Sequence, residues 1–579
     1  MPHDSPIAIV GYAYRAPGVG RKGLWDFLAE AKSAWSKVPA DRFDQDAFHH
    51  PNSTTPGTFS SQGAHFLPGN IYGFDAPFFN LRPEEARVID PQNRLGLECA
   101  FEAAESAGLR LIDLAGANVG VFAVSGGTDY GQQLLEDQLS TSTWTGLGVA
   151  SCMYANRVSY FMGLIGISVA LDAACASSSY ALHLACQSLK AGDCEAAFVT
   201  ASNAILGPGL WSCLDKVGFV ITAQLYVELP PNLDNGTECC RQRADASLTM
   251  QGRQGMGEAK GADAFWSNAW KMPLIRAIQY MLLFAILPVH EEVGLPPSET
   301  AVVEGHGTGT QVGDPIEASA FATILASERT AANPLYIGSV KSNLGHLENA
   351  SGMLGVIKAI MMLQNKTLLP NADFVEFNEK IEGMEKLKVP ETALPWPSKE
   401  QKRVLVTNFG KNQKLAPNAE RDGIADAEYV GFGGSNAAIL LDESPEIPPP
   451  GNQFARGINT DKTEAPNGIG FDASNNAVEY DYMPSDPMRQ LFVVSAKSES
   501  SLRAYMSSFK EYLYTAPESR KFVKDLSFTL GERRTHHPYR AAVTADSVSS
   551  LKTQLESCKI TKFLTHQTIA YVFTGQGAQ

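Results

Sequence analysis

Cys175, His306 and His346 are the residues of this chain whose types and settings best suit nucleophilic and acid–base chemistry. Cys175 lies in LDAACASSS, between the apolar run ISVALDA and the helical pattern SYALHLACQSLKAG. At the beginning of a helix, backbone amides and the helix dipole stabilise a thiolate. A lone cysteine is more often a small buried side chain, so its position alone does not make it a nucleophile.

Both histidines follow apolar runs and stand among small polar residues. His306 follows TAVVE in EGHGTGTQVGDP, and His346 closes SVKSNLGH. Glycines there let a substrate approach the backbone, and imidazole rings suit acid–base catalysis or stabilisation of an oxyanion. Two surface histidines are the alternative interpretation. No group of Asp, Glu, His and Cys with metal-ligand spacing accompanies them in the sequence, so we expect no metal.

Two blocks of alternating strand and helix patterns must position these residues. The first covers residues 5 to about 220, with the strand patterns PIAIVG, NVGVFAV and ISVALDA. The second begins at TAVVEGHGTGT and closes with NAAILLDE near residue 442. Two α/β halves that each present polar residues at strand ends predict a duplicated fold, with its site where the halves meet.

The rest of the chain has a different pattern. Residues 446–487 are rich in Pro, Gly, Asn and Asp, which predicts a flexible linker. Residues 488–566 predict a small α/β domain. Residues 567–579 end in IAYVFTGQGAQ, a strand running into a glycine-rich turn, which we interpret as the start of a further domain.

Composition excludes several classes of function. A net charge of -15 argues against nucleic-acid binding, which requires basic surface. Nine scattered cysteines do not form a disulfide pattern and favour a reducing compartment. The N-terminus lacks a signal-peptide pattern, and the longest apolar run, Met281–Leu287, is too short to span a bilayer. We therefore expect a soluble cytoplasmic protein without membrane contact.

Several ordered motifs resemble those of one enzyme family. DAACASSS resembles the nucleophile motif of β-ketoacyl synthases, while EGHGTGTQVGDPIEA and KSNLGH resemble their two histidine motifs. GFGGSNAA resembles their glycine-rich loop, and PNADFVEFNEKI looks most like fungal, highly reducing, iterative type I polyketide synthases. LFVVSAKSESSLRAY resembles the linker between ketosynthase and acyltransferase, and VFTGQGAQ resembles the start of the acyltransferase. The resemblance covers nearly the whole chain except 221–290 and 411–429.

The resemblance implies a thiolase-like, duplicated five-layer α/β/α/β/α fold over residues 5–445, usually dimeric, followed by a small α/β linker domain. It also implies decarboxylative Claisen condensation. Cys175 would take an acyl chain from the phosphopantetheine arm of an acyl carrier protein. His306 and His346 would hold the malonyl thioester and promote loss of carbon dioxide. The expected partners are a carrier protein with acyl and malonyl thioesters and a second copy of the chain, with no cofactor bound directly.

Four further residues take supporting roles by the same resemblance. The backbone amides of Cys175 and Phe432 would form the oxyanion hole. Lys341 and Glu317 match positions that support the histidines, although a plain surface charge is the alternative for Glu317. Asp314 is expected to brace its loop rather than to react.

Two segments depart from the family pattern. Residues 221–295 lack the expected motifs, but codons read from the third base, starting at Cys239, can encode LSPEGRCIFDDAGQAGYGRGEG, which fits the family. Residues 410–430 separate VTNF from GFGGSNAA, which the family joins directly. We therefore predict a shifted reading frame in the first segment and a retained intron in the second, for which a tolerated surface loop is the alternative.

These departures leave a second functional hypothesis open, namely a catalytically inactive, truncated or wrongly assembled ketosynthase-like fragment. A thiolase, which would share the fold without decarboxylation, is the third. The pair of histidine motifs and the acyltransferase-like end argue against a thiolase.

Overall fold

The structure is a computed structural model that describes residues 6–20, 23–52, 55–126, 129–216, 244–252, 285–310, 313–397, 402–409, 436–444 and 489–563. The chain divides into two compact units. One comprises residues 1–107 and 114–454, and the other comprises residues 108–113 and 455–579.

The larger unit contains fourteen described strands and most of the described helices. The strands are β1 Ile7–Arg15, β2 Trp35–Ser36, β3 Ala64–His65, β4 Val119–Ser125, β5 Ser168–Leu171, β6 Ala196–Asn203, β7 Ala244–Gly252, β8 Val302–Glu304, β9 Leu335–Gly338, β10 Thr367–Leu368, β11 Leu387–Lys388, β12 Leu394–Pro395, β13 Arg403–Phe409 and β14 Asn436–Asp442. The helices are α1 Leu24–Ala29, α2 Pro83–Val88, α3 Pro91–Ser106, α4 Leu111–Leu114 at the boundary between the units, α5 Asp129–Glu136, α6 Thr145–Val149, α7 Met153–Met162, α8 Ser177–Ala191, α9 Pro208–Lys216, α10 Gly313–Ile324, α11 Lys341–Leu344 and α12 Ser351–Asn365.

Two five-stranded sheets organise this unit. The first has the order β1-β7-β6-β4-β5, in which β4 is parallel to β5 and β6, and β7 is antiparallel to β1 and β6. The second has the order β11-β9-β8-β13-β14, with only the β13–β14 pair antiparallel. Each sheet therefore combines a parallel block with an antiparallel strand, as expected for two similar halves.

Helices α8 and α12 lie between the sheets. Helix α8 packs against β4 and β6 of the first sheet and also touches β14 of the second, and α12 packs against β13 and touches β7. Helix α12 is buried on every face, which its sequence SGMLGVIKAIMMLQN predicts, because apolar residues surround the whole helix. Gly352 lets the two helices approach, since a Cβ there would lie 2.1 Å from the Ser179 hydroxyl oxygen.

Further helices cover the outer faces of the two sheets. Helices α3 and α7 pack on the first sheet, and α10 packs on the second through Phe321 and its neighbours. Helix α3 begins at Pro91, a residue suited to the first turn of a helix, and the Asp90 carboxylate caps it by accepting the Gln92 N–H at 2.8 Å. The order helix, sheet, helix, sheet, helix confirms the predicted five-layer architecture.

Strand β7 lies inside residues 221–295, the segment for which we predict a shifted reading frame. It fills the position between β1 and β6, pairing Leu248 with both Tyr12 and Val199. Residues 217–243, 253–284 and 410–435 are outside the described residues, and so are 445–488 and 564–579. The frame shift, the insertion, the linker and the terminal segment therefore stay predictions.

The smaller unit is a three-stranded antiparallel sheet covered by three helices. Its strands are β15 Gln490–Ala496, β16 Tyr539–Ala545 and β17 Thr561–Lys562, in that order. Its helices are α13 Glu499–Thr515, α14 Arg520–Glu532 and α15 Val548–Ser557. A serine caps each helix: Ser498, Ser519 and Ser547 accept the N–H three residues ahead. Residues 108–113 also belong here, since the Leu111 N–H donates to the Thr535 hydroxyl at 3.1 Å.

Among the described helices, none combines the length and the apolar character that a bilayer crossing demands.

Candidate active site

Cys175 lies in a tight turn that joins β5 to α8. The turn is the 3-10 segment Ala174–Ala176, and Ala174 has a left-handed backbone with φ of 50°. That conformation is costly for a residue with a Cβ, so surrounding hydrogen bonds must hold it. The Asp172 carboxylate accepts the Ala174 N–H at 2.8 Å, and the Ser177 hydroxyl oxygen accepts the Ala173 N–H at 2.7 Å. The result is a nucleophile at a helix N-terminus, where a thiolate is stabilised.

The serines that follow Cys175 hold structure rather than present nucleophiles. Ser177 donates to the Ala174 carbonyl at 2.6 Å. Ser178 accepts the Met353 N–H from α12 at 3.1 Å. Both hydroxyls are buried in contacts that fix the turn and join the two halves.

His346 is brought from the other half directly onto the nucleophile. Its Nε2 lies 3.1 Å from the Cys175 sulfur, although the two residues are 171 positions apart in sequence. Its Nδ1 accepts the Glu348 backbone N–H at 3.1 Å and lies 2.9 Å from the Ser351 hydroxyl. Because a backbone N–H only donates, Nδ1 must carry a lone pair, and the proton of the neutral ring is on Nε2. His346 therefore points an N–H at the sulfur.

His306 lies beside His346 and is buried. The two ring centroids are 5.5 Å apart in an edge-to-face arrangement, and His306 is 1% exposed. Burial, reinforced by the nearby charge of Lys341, lowers the pKa of His306 well below its usual value, so the ring is neutral near pH 7. Its Nε2 has no hydrogen-bond partner within the described part of the chain. An unpartnered buried nitrogen is costly, which suits a position that a substrate oxygen completes.

Glu317 fixes the loop that carries His306. One carboxylate oxygen accepts the His306 N–H at 2.7 Å, and the other accepts the Gly307 N–H at 2.8 Å. The Thr407 hydroxyl adds a third bond at 3.1 Å. Burial raises the pKa of this carboxyl, and the backbone hydrogen bonds oppose that rise. Glu317 is 1% exposed, so the alternative interpretation of Glu317 as a plain surface charge is wrong.

Asp314 and Lys341 are also buried near this loop. Asp314 accepts the Gly309 N–H through both oxygens at 3.1 Å, and the Thr310 N–H at 3.3 Å, which braces the loop after His306. Lys341 begins the short helix α11 and is 2% exposed. Burial lowers the pKa of its ammonium, while the negative charges of Glu304 and Glu317 counteract that effect. Phe432, the predicted second oxyanion donor, lies outside the described residues.

Three functional neighbours were missed in the sequence. Glu348 places a carboxylate oxygen 3.8 Å from the Cys175 sulfur. Glu304 and Lys358 form a buried ion pair at 2.8 Å behind the histidines. Only Lys358 had a visible signal, as a lysine in the middle of the apolar stretch SGMLGVIKAIMMLQ. Cys175, His346 and Glu348 are also the one group of described residues whose donor atoms are close enough together for a metal, within 4.8 Å. The group includes Cys175, the residue that the sequence motifs single out as the expected nucleophile.

Family models match most of the described chain. The β-ketoacyl synthase N-terminal domain matches residues 4–229, and the β-ketoacyl synthase C-terminal domain matches residues 271–375. Together these ranges cover more than half of the chain. A model described as CurL-like, PKS C-terminal, matches residues 490–555, within the smaller unit.

Similar proteins agree with these matches. The highly reducing polyketide synthase Preu5 of Preussia isomera is 47% identical, and ACRTS2 of Alternaria alternata is 44% identical, each over 100% of this chain and 22% of the relative. The chain thus spans about a fifth of their length. A solved ketosynthase from module 6 of the bacillaene synthase of Bacillus subtilis is 26% identical, with a TM-score of 0.72 over 95% of this chain and 84% of that one. This likeness confirms the thiolase-like fold that the sequence motifs imply.

The comparisons also bear on the irregular segment. The N-terminal family model ends at residue 229 and the C-terminal one begins at residue 271, so neither covers residues 230–270. The alignment with Preu5 spans 603 positions against 579 residues here, so that relative has residues that this chain lacks. The unmatched stretch overlaps the segment for which we predict a shifted reading frame.

Three observations lead to the same assignment. Both family models match the chain, the relatives align along its whole length, and a cysteine from one half contacts a histidine from the other. The chain belongs to the β-ketoacyl synthase family, as the ketosynthase part of a polyketide synthase.

Proposed function

We propose that this chain catalyses decarboxylative Claisen condensation between an acyl group on Cys175 and a malonyl thioester on a carrier protein. The observation that supports the proposal most directly is the 3.1 Å contact between His346 Nε2 and the Cys175 sulfur. A histidine N–H aimed at a buried cysteine stabilises the thiolate as it forms and can then donate to a substrate oxygen in the same place.

In the first step Cys175 attacks an acyl thioester carried on phosphopantetheine. The sulfur bonds to the acyl carbon, and the carrier thiol departs. The Cys175 backbone amide lies in the middle of the turn before α8, and together with the Phe432 amide it would bind the oxyanion. Each such donor contributes about 3–4 kcal/mol to the transition state.

In the second step the malonyl thioester binds against the two histidines. The neutral His306, with its unpartnered Nε2, and the Nε2–H of His346 lie next to each other. The carbon–carboxylate bond breaks, carbon dioxide leaves, and the electron pair becomes an enolate whose oxygen these histidines stabilise. The enolate carbon attacks the Cys175 thioester, and the Cys175 thiolate leaves. Lys341 places a buried ammonium group close enough to His306 to affect its pKa, and Glu317 and Asp314 hold the loop that carries His306.

The partner expected at the pocket is an acyl carrier protein, and the partner expected at the first sheet is a second copy of the chain. Strand β5 forms one edge of that sheet. Exposed apolar side chains surround it, including Tyr160 at 89%, Ile165 at 72% and Val169 at 37% exposure. An unprotected apolar edge strand favours pairing with another chain. A symmetric dimer would pair β5 with β5.

Acyl loading and decarboxylation test this function separately. The purified chain is incubated with an acyl N-acetylcysteamine thioester, and the mass added at Cys175 is measured. Malonyl N-acetylcysteamine is then supplied, and carbon dioxide and the condensation product are followed. We expect Cys175→Ala to abolish loading, and His306→Ala to load but to lose decarboxylation by about 100-fold or more.

Two results would contradict the proposal. One is loading of the Cys175→Ala variant at the wild-type rate, which would place the acyl group elsewhere. The other is a folded wild-type chain that neither loads nor decarboxylates, which would favour the inactive alternative.

A further inference from the structure

The turn that carries Cys175 has a counterpart in the second half of the fold. Ala174–Ala176 precedes α8, and the 3-10 segment Glu348–Ala350 precedes α12, which has the same length of 15 residues. The first residue of each turn is left-handed without being glycine, with φ of 50° at Ala174 and 45° at Glu348. Glu348 in the second half therefore occupies the position that Ala174 occupies in the first half.

Glu348 contacts Cys175 through its side chain and His346 through its backbone. Its carboxylate oxygen lies 3.8 Å from the Cys175 sulfur, within reach of an S–H donor. Its backbone N–H donates to His346 Nδ1. Asn349, the next residue, ties this turn to the first half by donating to the Ser125 carbonyl at 2.9 Å and to Asp172 at 3.2 Å. A left-handed residue with a Cβ persists only where its surroundings hold it, and such positions concentrate at functional sites.

Acyl loading needs a proton acceptor that His346 does not supply in this arrangement. With Nδ1 held as an acceptor, His346 Nε2 carries a hydrogen and donates toward the sulfur. A neutral ring in this tautomer has no lone pair facing the thiol proton. The described carboxylate facing the sulfur is that of Glu348.

We propose that the Glu348 carboxylate is the general base that accepts the Cys175 thiol proton during acyl loading, which deepens and rests on the proposed function. The S–H proton moves to a Glu348 oxygen while the sulfur electron pair bonds to the acyl carbon. The tetrahedral oxyanion collapses and expels the carrier thiolate. That thiolate takes the proton from Glu348, which returns to its ionised form, so no other reactant is consumed.

A general base and a merely structural residue predict different results for two reactions of one sulfur. Below the pH at which the Cys175 thiol ionises, acyl transfer from a thioester requires a base that removes the thiol proton as the bond forms. Alkylation by iodoacetamide requires only a thiolate, and removing a neighbouring negative charge favours that thiolate. The other titratable groups packed around Cys175 are His306, Lys341, His346 and Asp172, and all of them are retained in Glu348 variants.

The experiment compares wild type with Glu348→Gln, Glu348→Asp and Glu348→Gly in the full chain. Glycine is the variant most compatible with a left-handed backbone, so it guards against misfolding while it deletes the carboxylate. Hexanoyl N-acetylcysteamine serves as the acyl donor, and intact-mass measurements give rates of acylation and alkylation as functions of pH. Glu328→Gln, at an exposed glutamate elsewhere in the larger unit, is the matched control.

We expect Glu348→Gln and Glu348→Gly to slow acyl transfer about 100-fold at pH values below the alkylation midpoint of Cys175, and Glu348→Asp to keep part of the rate. Above that midpoint the thiolate forms by itself, so the acyl-transfer rates of the variants and of wild type should converge. Alkylation should be undiminished, with its pH midpoint moved downward. Acyl transfer at the wild-type rate below that midpoint, or equal slowing of acylation and alkylation, would overturn the proposal.

The same data separate this inference from the proposed function. If the wild-type chain itself does not load the acyl group, the proposed function is wrong. The pH dependence of alkylation then still tests whether the Glu348 carboxylate acts on the Cys175 sulfur. If neither Glu348→Gln nor Glu348→Gly moves the pH midpoint of alkylation, the Glu348 carboxylate does not influence the sulfur and the inference is refuted.

Discussion

The Glu304 carboxylate lies 2.8 Å from the Lys358 ammonium, and both side chains are at most 2% exposed. Glu304 ends β8, two residues before His306, and Lys358 lies in the middle of α12. Glu304 also accepts the N–H of Val340, which precedes Lys341. One ion pair therefore joins the segments that carry His306 and Lys341 to the helix that follows His346.

Replacing Lys358 with Met should destabilise the larger unit by about 3–5 kcal/mol, because it leaves a buried carboxylate without its partner. The double variant Lys358→Met with Glu304→Gln removes both charges and should recover a large part of that loss. Urea unfolding of the three proteins measures the difference. A double variant no more stable than the single one would show that the charge pairing is not what matters here.

Replacing Glu317 with Gln should loosen the His306 loop. An amide keeps only one acceptor oxygen, so one of the two backbone bonds, to His306 or to Gly307, is lost. A hydrogen bond to a charged group contributes about 1.5–3 kcal/mol, so we expect decarboxylation to fall at least about tenfold. Acyl loading of Cys175 should change little. Parallel mass-spectrometric and carbon dioxide assays would reveal a contrary result as equal losses in both steps.

His65 should make the larger unit less stable in mild acid. Burial lowers the pKa of this histidine to about 3, and neither ring nitrogen has a partner among the described residues. The unfolded chain binds this proton near pH 6.5, whereas the folded chain does not until about pH 3. Stability from this residue is thus complete above about pH 6.5 and decreases as the pH falls, by about 2 kcal/mol at pH 5.

The variant His65→Leu isolates that contribution. Its free energy of unfolding should fall less between pH 7 and pH 5 than that of wild type, by about 2 kcal/mol. Urea midpoints at both pH values test this. Parallel pH dependence in the two proteins would mean that His65 does not titrate as its burial implies.

A charge on the β5 edge should prevent the proposed dimer. Val169→Lys places an ammonium group on the exposed face of this edge strand, where a second β5 would pack. We expect a shift from dimer to monomer, measured by sedimentation velocity. Val375→Lys, at a side chain that is 71% exposed outside the first sheet, serves as the control and should leave the mass unchanged. A dimer that survives Val169→Lys would move the interface elsewhere.

The sequence predicted the two α/β halves because their signals are local, whereas the five layers followed from the family resemblance. Strand and helix patterns identified the apolar runs, and the motifs around Cys175 and His346 placed both residues at the ends of strands. The contact between them could not be derived from pattern alone, since it depends on how two sheets meet. The resemblance to a known family supplied that relation.

Other features had weak or no local signal. Glu348 lies two residues beyond the motif KSNLGH, but its proposed role depends on a left-handed backbone and on a sulfur 173 positions away. Strand β7 had a usable signal, because Ala244, Ala246, Leu248 and Met250 alternate with polar residues. The absence of family motifs around it obscured this alternation. The association of residues 108–113 with the smaller unit rests on tertiary contacts that composition does not reveal.

The two left-handed turns, at Ala174 and Glu348, bring reactive groups from both halves of the larger unit together. The sulfur belongs to one half, and the imidazole and carboxylate that face it belong to the other. Any separation of the two halves lengthens those distances. The reactivity of the Cys175 thiol therefore reports whether the two halves of the larger unit are correctly packed against each other.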